Sequence, residues 1–106
     1  MQYRRVGTTG LQLSALSFGA WVTFGRQVDR AHARDLLALA HERGINYFDN
    51  AETYNNGVAE QVMGDVLADL RFARDSYCVS SKVFFGAVDD PPPTQRGLSR
   101  KHVVET

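Results

Sequence analysis

The chain has 106 residues, of which 43% are hydrophobic and 23% charged, and its formal net charge is zero. A balanced charge offers no electrostatic attraction to nucleic acid or to an acidic membrane surface, and the apolar stretches are too short for a transmembrane helix or a signal-peptide core. The length fits one domain with a modest core, and the composition is typical of a soluble cytosolic protein, so we expect a cytoplasmic location. The single cysteine, Cys78, excludes an intrachain disulfide and is expected to be a buried, inert thiol.

The first elements predicted are a β-hairpin and a buried strand. Residues 3–6 and 11–13 flank the turn from Gly7 to Gly10, a pattern typical of two antiparallel strands joined by a short loop. We expect this hairpin to plug or flank the main sheet. The first buried strand is predicted at about Leu13 to Gly19.

Two amphipathic helices are predicted at residues 29–43 and 58–70. Apolar side chains recur at helical spacing in the first and form one stripe in the second, and Gly44 supplies a stop for the first. Short apolar runs predict further strands at residues 45–49 and 77–82. The predicted core positions of the helices are Ala33, Leu36, Leu37, Ala40, Ala59, Val62, Met63, Val66, Leu67 and Leu70.

Three chemically useful residues fall where a predicted strand meets a loop. Asp49 and Lys82 end their strands, and Tyr54 follows Asp49 closely. The spacings from Gly19 to Asp49 (49 − 19 = 30) and from Asp49 to Lys82 (82 − 49 = 33) suit one strand, one helix and two loops per step. Because function in parallel α/β folds collects at the carboxyl ends of the strands, we expect these side chains to meet.

Each of these side chains also has an ordinary structural interpretation. Alone, Tyr54 is typical of a loop aromatic, Lys82 of a surface charge and Asp49 of a cap before a helix. Because all three lie at or shortly after the ends of predicted parallel strands, together they favour a site that moves a proton.

The histidines and the remaining acidic residues near Tyr54 give weaker signals. His32, His41 and His102 lie on predicted helices among polar residues, so we expect solvated surface positions and no metal site. Glu60 is explained by charge stabilisation at a helix amino terminus, and Glu52 flanks Tyr54 without an assigned role.

Length conflicts with a complete barrel. A closed eight-stranded β/α barrel needs about 250 residues, and three β-α units with a hairpin make less than half of one. Ser99 is a predicted N-cap, with Leu98 and Val103 as a hydrophobic staple, so a third helix starts close to Thr106. We therefore expect residues 1–106 to be a partial domain, truncated in its third helix. The preceding Pro-rich segment, residues 89–94, is predicted to be a loop.

Two groups of motifs resemble a known enzyme family. The run from Phe48 to Tyr54 (FDNAETY), followed by Gly57-x-Ala59-Glu60 and Met63-Gly64, resembles the signature of the aldo-keto reductase superfamily. The runs from Phe18 to Gly25 (FGAWVTFG) and from Arg96 to His102 (RGLSRKH) resemble the branch that contains the voltage-gated potassium channel β subunits and their bacterial relatives.

The resemblance implies the amino-terminal part of a (β/α)8 barrel that reduces small aldehydes and ketones with NADPH and has no Rossmann fold; the chain indeed contains no G-x-G-x-x-G motif. It implies that Tyr54 is the general acid, that Lys82 favours its phenolate, and that Asp49 orients the lysine ammonium. It also places Ala20, Trp21, Gln27 and Asp49 near the nicotinamide. An alternative role for Trp21 is to cap the rim of the barrel.

The resemblance leaves two functional classes and one negative outcome open. The reductase would need a fourth catalytic residue, a histidine, and cofactor-binding loops that are expected beyond Thr106. The alternative is a nucleotide-sensing regulatory partner of a membrane channel. The chain by itself is expected to be inactive, to bind NADPH poorly and, through an open sheet edge, to be weakly stable or to form a homo-oligomer.

Overall fold

The computed structural model describes residues 1–106 as parallel strands that alternate with helices, preceded by a hairpin. One-turn 3-10 helices lie at Arg74–Ser76 and Pro93–Gln95. In chain order the elements are β1 (Tyr3–Arg5), β2 (Gln12–Ser14), β3 (Phe18–Gly19), α1 (Arg30–Glu42), β4 (Tyr47–Asp49), α2 (Val58–Leu70), β5 (Cys78–Ser80) and α3 (Arg100–Glu105).

The strands form two separate sheets. β1 and β2 pair antiparallel, with Tyr3 opposite Ser14, and this confirms the predicted hairpin. β3, β4 and β5 form an open sheet in that order, and both pairings are parallel, as predicted. Because the strands are parallel, the three loops that follow them leave the sheet at the same edge.

The hairpin flanks the sheet at the amino end of β4. The Tyr3 hydroxyl donates to the Gly44 carbonyl at 2.9 Å, and the Ser14 amide donates to Asn46 Oδ1 at 2.8 Å. The predicted strand from Leu13 to Gly19 is therefore wrong at its start. Ser14 belongs to the hairpin, its hydroxyl donates to the Leu16 carbonyl at 2.6 Å across a bend, and the parallel strand is confined to Phe18–Gly19.

The two long helices cover one face of the sheet and bury the core around Phe48. Asp29 caps α1 by accepting from the His32 amide, and Gly44, with φ of +87°, ends it as predicted. Leu36 is 40% exposed, so its assignment to the core was wrong. The fully buried helical side chains are Ala33, Leu37, Ala40, Ala59, Met63 and Val66, while Val62, Leu67 and Leu70 pack at the margin of the core.

The third helix begins where it was predicted to begin, but its side chains pack differently from the prediction. Ser99 caps α3 by accepting from the His102 amide at 3.1 Å, as predicted. The staple is wrong, because Leu98 is 70% exposed and Val103 is 49% exposed.

The histidines divide between surface and interior. His102 is only 4% exposed, which corrects its predicted surface position. His41 stacks on Phe72 with ring centroids 3.9 Å apart and is half-buried, whereas His32 is exposed as predicted. Cys78 is half-buried rather than fully buried. The side chains form no cluster suited to a metal ion, and no helix is both long and apolar enough to cross a membrane.

Candidate active site

The three parallel strands deliver their following residues to one edge of the sheet. The ladder pairs Gly19 with Asp49, and Asp49 with Ser80. Backbone hydrogen bonds continue this pairing past the strand ends, from Ala20 to the Asp49 carbonyl at 3.0 Å and from Glu52 to the Lys82 carbonyl at 3.1 Å. The loops after β3, β4 and β5 are thus fixed side by side.

Asp49 and Lys82 form an ion pair at this edge. The Lys82 ammonium donates to both carboxylate oxygens of Asp49, at 2.9 and 2.8 Å, and to the Asn50 carbonyl at 2.5 Å. The Ser80 hydroxyl also donates to Asp49 Oδ1, at 2.5 Å, and itself accepts from the Tyr47 hydroxyl at 2.9 Å. The carboxylate on β4 is therefore held by donors from β5 and from the loop that follows it, and it fixes the direction of the lysine side chain.

Asp49 and Lys82 are both charged at neutral pH. Burial raises the pKa of the Asp49 carboxyl, but the hydrogen bonds from Lys82 and Ser80 and the lysine charge outweigh burial, so this pKa lies below its usual 3.8. Burial lowers the pKa of Lys82, but Asp49 and Tyr54 outweigh it, and the pKa lies above 10.5. Lys82 is consequently a fixed cation and not a base at neutral pH.

Tyr54 lies directly beneath the lysine ammonium. Lys82 Nζ is 4.9 Å from the centroid of the Tyr54 ring, within cation–π range. Trp21 stacks against the same ring from the loop after β3, with centroids 6.2 Å apart and planes inclined by 25°. The tyrosine ring is therefore flanked by a cation and by an indole.

The loop that carries Tyr54 turns through residues with left-handed backbone conformations. Asn55 and Asn56 both have φ of 50°, and Gly57 has φ of 84°. Asparagine and glycine tolerate this region better than other residues. The side-chain amide of Asn55 donates to the Gly25 carbonyl at 3.1 Å, and the side-chain amide of Asn56 donates to Asp89 Oδ1 at 3.1 Å. Each neighbouring loop therefore anchors the turn.

Two clefts open on either side of Tyr54. One, of about 260 Å³, has a largely polar lining, and the other, of about 250 Å³, a largely apolar one. The polar cleft is lined by Trp21, Val22, Arg26, Thr53, Tyr54, Asn55, Asn56 and Asp89. The apolar cleft is lined by Ala51, Glu52, Thr53, Tyr54, Lys82, Phe84 and Phe85. A small molecule in either cleft would contact Tyr54.

The residues predicted near a cofactor occupy different environments. Trp21 is 68% exposed and faces the polar cleft. Ala20 is 1% exposed, and its side chain belongs to the core, while its backbone amide donates to the Asp49 carbonyl. Gln27 is exposed at the far end of the same loop, outside the residues that line either cleft.

Sequence reasoning missed Glu52, Phe84 and Phe85. Glu52 is 1% exposed, whereas Phe84 and Phe85 are 51% and 69% exposed and pack edge to face, with centroids 5.0 Å apart. The two phenylalanines follow Lys82 closely, and that position was the available signal for them. No local pattern marks Glu52, because its burial depends on contacts from distant parts of the chain.

Comparisons with known proteins agree with this geometry. The model of the aldo/keto reductase family matches residues 15–106. A probable voltage-gated potassium channel β subunit of Arabidopsis thaliana is 49% identical over 105 residues, and one of Oryza sativa subsp. japonica is 50% identical over 105 residues. Each alignment covers 99% of this chain and 31% of the relative, so the chain spans about a third of the length of these relatives.

The fold also matches a solved structure. A thermostable aldo-keto reductase, crystallised with the inhibitor epalrestat, superposes with a TM-score of 0.67 at 31% identity over 79% of this chain and 31% of that one. The open parallel sheet with its two covering helices is therefore the amino-terminal part of a (β/α)8 barrel, and the barrel is not closed within these residues.

Proposed function

Since this chain belongs to the aldo/keto reductase family, we propose that it carries the proton-donating part of a site that reduces small aldehydes and ketones with NADPH. One observation carries the proposal: the Lys82 ammonium, held at 2.9 and 2.8 Å by Asp49, lies 4.9 Å from the centre of the Tyr54 ring. A tyrosine beside a fixed cation, at the edge of two clefts, is suited to protonating a carbonyl oxygen.

Each of the three residues has a distinct role in this proposal. The Tyr54 hydroxyl donates its proton to the carbonyl oxygen of the substrate as negative charge develops there. The Lys82 ammonium stabilises the phenolate that remains. Asp49 keeps the ammonium charged and fixes its orientation, because both of its carboxylate oxygens accept from Lys82 Nζ. The apolar cleft beside Phe84 and Phe85 suits the hydrocarbon part of a carbonyl compound.

The residues around the polar cleft fit one end of a nicotinamide cofactor. The exposed indole of Trp21 offers a flat surface beside Tyr54, and the cleft is of the size of one ring system rather than of a whole dinucleotide. When bound, reduced nicotinamide supplies the hydride for the carbonyl carbon. Trp21 and Asp49 are the residues that we propose to contact it, and the Ala20 backbone and Gln27 extend the same loop.

The reductase proposal is tested by a chimera in which residues 1–106 replace the aligned segment of the Arabidopsis thaliana relative. We expect the chimera to reduce a small aldehyde with NADPH, and we expect Tyr54→Phe to lower kcat by at least about a hundredfold, because the ring keeps its packing but loses the acidic hydroxyl. Cofactor binding, measured by calorimetry, should be retained. Undiminished turnover by Tyr54→Phe would refute the assigned role.

A second function is favoured by the relatives themselves. Both plant proteins are named as probable voltage-gated potassium channel β subunits, and each is about half identical to this chain. We propose as the alternative that the same site senses a nicotinamide nucleotide for a channel partner. Because Tyr54→Phe is expected to keep nucleotide binding in either case, turnover and channel binding separate the two functions: a reductase loses turnover in the variant, whereas a sensor co-purifies with a coexpressed channel with or without the Tyr54 hydroxyl.

A further inference from the structure

A buried carboxylate lies behind the proposed proton donor. Glu52 precedes Tyr54 by two residues, and its side chain is only 2% exposed. Oε1 accepts from the backbone amides of Phe84, at 2.5 Å, and Gly86, at 2.8 Å. These amides belong to the loop that directly follows Lys82.

The second carboxylate oxygen of Glu52 faces the third helix. Glu52 Oε2 accepts from the Thr106 hydroxyl at 2.8 Å, and His102 Nε2 lies 3.0 Å away, close enough for an ion pair although its N–H direction is poor for a hydrogen bond. The His102 side chain is itself only 5% exposed. One carboxylate thus joins the Tyr54 loop, the loop after Lys82 and α3.

Burial of such a group needs a specific reason. A buried carboxylate is costly unless donors satisfy its oxygens. Here burial raises the pKa of Glu52, but the Gly86 amide and the other donors outweigh it, so the pKa lies below its usual 4.5. The Glu52 carboxylate forms its hydrogen bonds with Phe84, Gly86 and Thr106 and none with the Tyr54 hydroxyl or the Lys82 ammonium, so the proposed proton transfer does not use it directly.

We propose that Glu52 is a positioning residue that holds the Lys82 loop and α3 against the Tyr54 loop, and thereby keeps the Lys82 ammonium over the Tyr54 ring. The backbone supports this, because the Glu52 amide donates to the Lys82 carbonyl at 3.1 Å while its carboxylate binds the amides two and four residues farther along. Both ends of the segment that starts at Lys82 are thus fixed by one residue of the Tyr54 loop. The inference rests on the proposed function, since the alignment of Lys82 with Tyr54 matters only where Tyr54 donates a proton.

The chain offers a direct spectroscopic readout. Lys82 and Lys101 are its two lysines, and Lys82 Nζ lies 4.9 Å from the Tyr54 ring centroid. In the chain with ¹³C-labelled lysine, we expect the ring current of Tyr54 to shift the Lys82 ε-methylene resonances, with Lys101 as the internal reference. We expect Glu52→Met, which keeps the length of the side chain but removes both acceptor oxygens, to reduce this shift and to accelerate hydrogen exchange at the Phe84 and Gly86 amides, while α1 keeps its protection.

The control is Glu60→Met, which removes a carboxylate that accepts from the Ser81 hydroxyl, one residue before Lys82. It should leave the Lys82 shift unchanged. If Glu52→Met fails to fold, Thr106→Val, which removes the hydroxyl that donates to Glu52 Oε2, should reduce the shift in part. In whichever variant folds, an unaltered Lys82 shift contradicts the proposal. A loss of hydrogen-exchange protection that is uniform across the folded chain contradicts it as well. Because this test measures no turnover, the positioning role of Glu52 can be refuted while the reductase proposal stands. The reductase proposal can likewise fail while the positioning role stands.

Discussion

At the scale of single residues, position relative to a strand end was the information that the sequence carried best. Asp49 and Lys82 could be placed together because each follows an apolar run, and parallel strands bring such ends to one edge. The burial of Glu52 and His102 could not be predicted, because each is polar in its local context and is buried by a partner far along the chain. Burial of such polar side chains depends on tertiary contacts that no local periodicity records.

The ion pair at the strand ends makes a defined contribution to stability. Asp49→Asn keeps the shape of the side chain but removes its charge, and because both partners remain partly exposed we expect a loss of about 1 kcal/mol or less in the free energy of unfolding at neutral pH. Urea denaturation measures this loss. The control is Asp35→Asn, whose carboxylate is 80% exposed and 4.0 Å from Arg34, and which should change little.

The pH dependence of this difference follows from the directions of the two pKa shifts. The folded pKa of Asp49 lies below 3.8, so its contribution is present above that value and is lost as the pH falls through the folded pKa. The folded pKa of Lys82 lies above 10.5, so its contribution is present below 10.5 and is lost as the pH rises through the folded value. Wild type and Asp49→Asn should therefore differ by a constant amount between about pH 5 and 9 and converge at both extremes. A difference that persists in strong acid would contradict the assignment.

At the scale of elements, the helices were predictable and the first strand was not. Helical periodicity and caps are local, and the predicted 58–70 coincides with α2. The extent of a strand depends on its partner, and Ser14 pairs with Tyr3 in the hairpin instead of continuing toward Phe18. Periodicity also overcounted the core of α1, because it assigned two adjacent leucines to a stripe that buries only one of them.

Those two leucines give a matched test of the packing. Leu37 is 0% exposed and Leu36 is 40% exposed on the same helix. We expect Leu37→Ala to lower the free energy of unfolding by about 2–5 kcal/mol, since it leaves a cavity in the core, and Leu36→Ala to cost about 1 kcal/mol or less. Because both changes have the same effect on helix propensity, thermal or urea unfolding of the two variants isolates the packing term. Equal losses would mean that α1 is rotated relative to the described packing.

At the scale of the whole molecule, the open sheet leaves apolar surface beside the edge strand β5. The strand order β3-β4-β5 gives β5 a neighbour on one side only. Val79, in the middle of β5, is 42% exposed, and a cleft of about 250 Å³ lies between it and Met63 and Leu67 of α2. Edge strands with uncovered apolar side chains pair readily with other chains.

We therefore expect the 106-residue chain to associate with itself, with an average mass in sedimentation velocity that rises with protein concentration. A lysine on an edge strand opposes such pairing, because its charge would have to be buried at the new contact. Val79→Lys should lower the association, whereas Val104→Lys, at a 64% exposed position on α3, should not. Circular dichroism of both variants separates lost association from lost folding. A chain that stays monomeric at every concentration, or equal effects of the two lysines, would place the contact elsewhere than at β5.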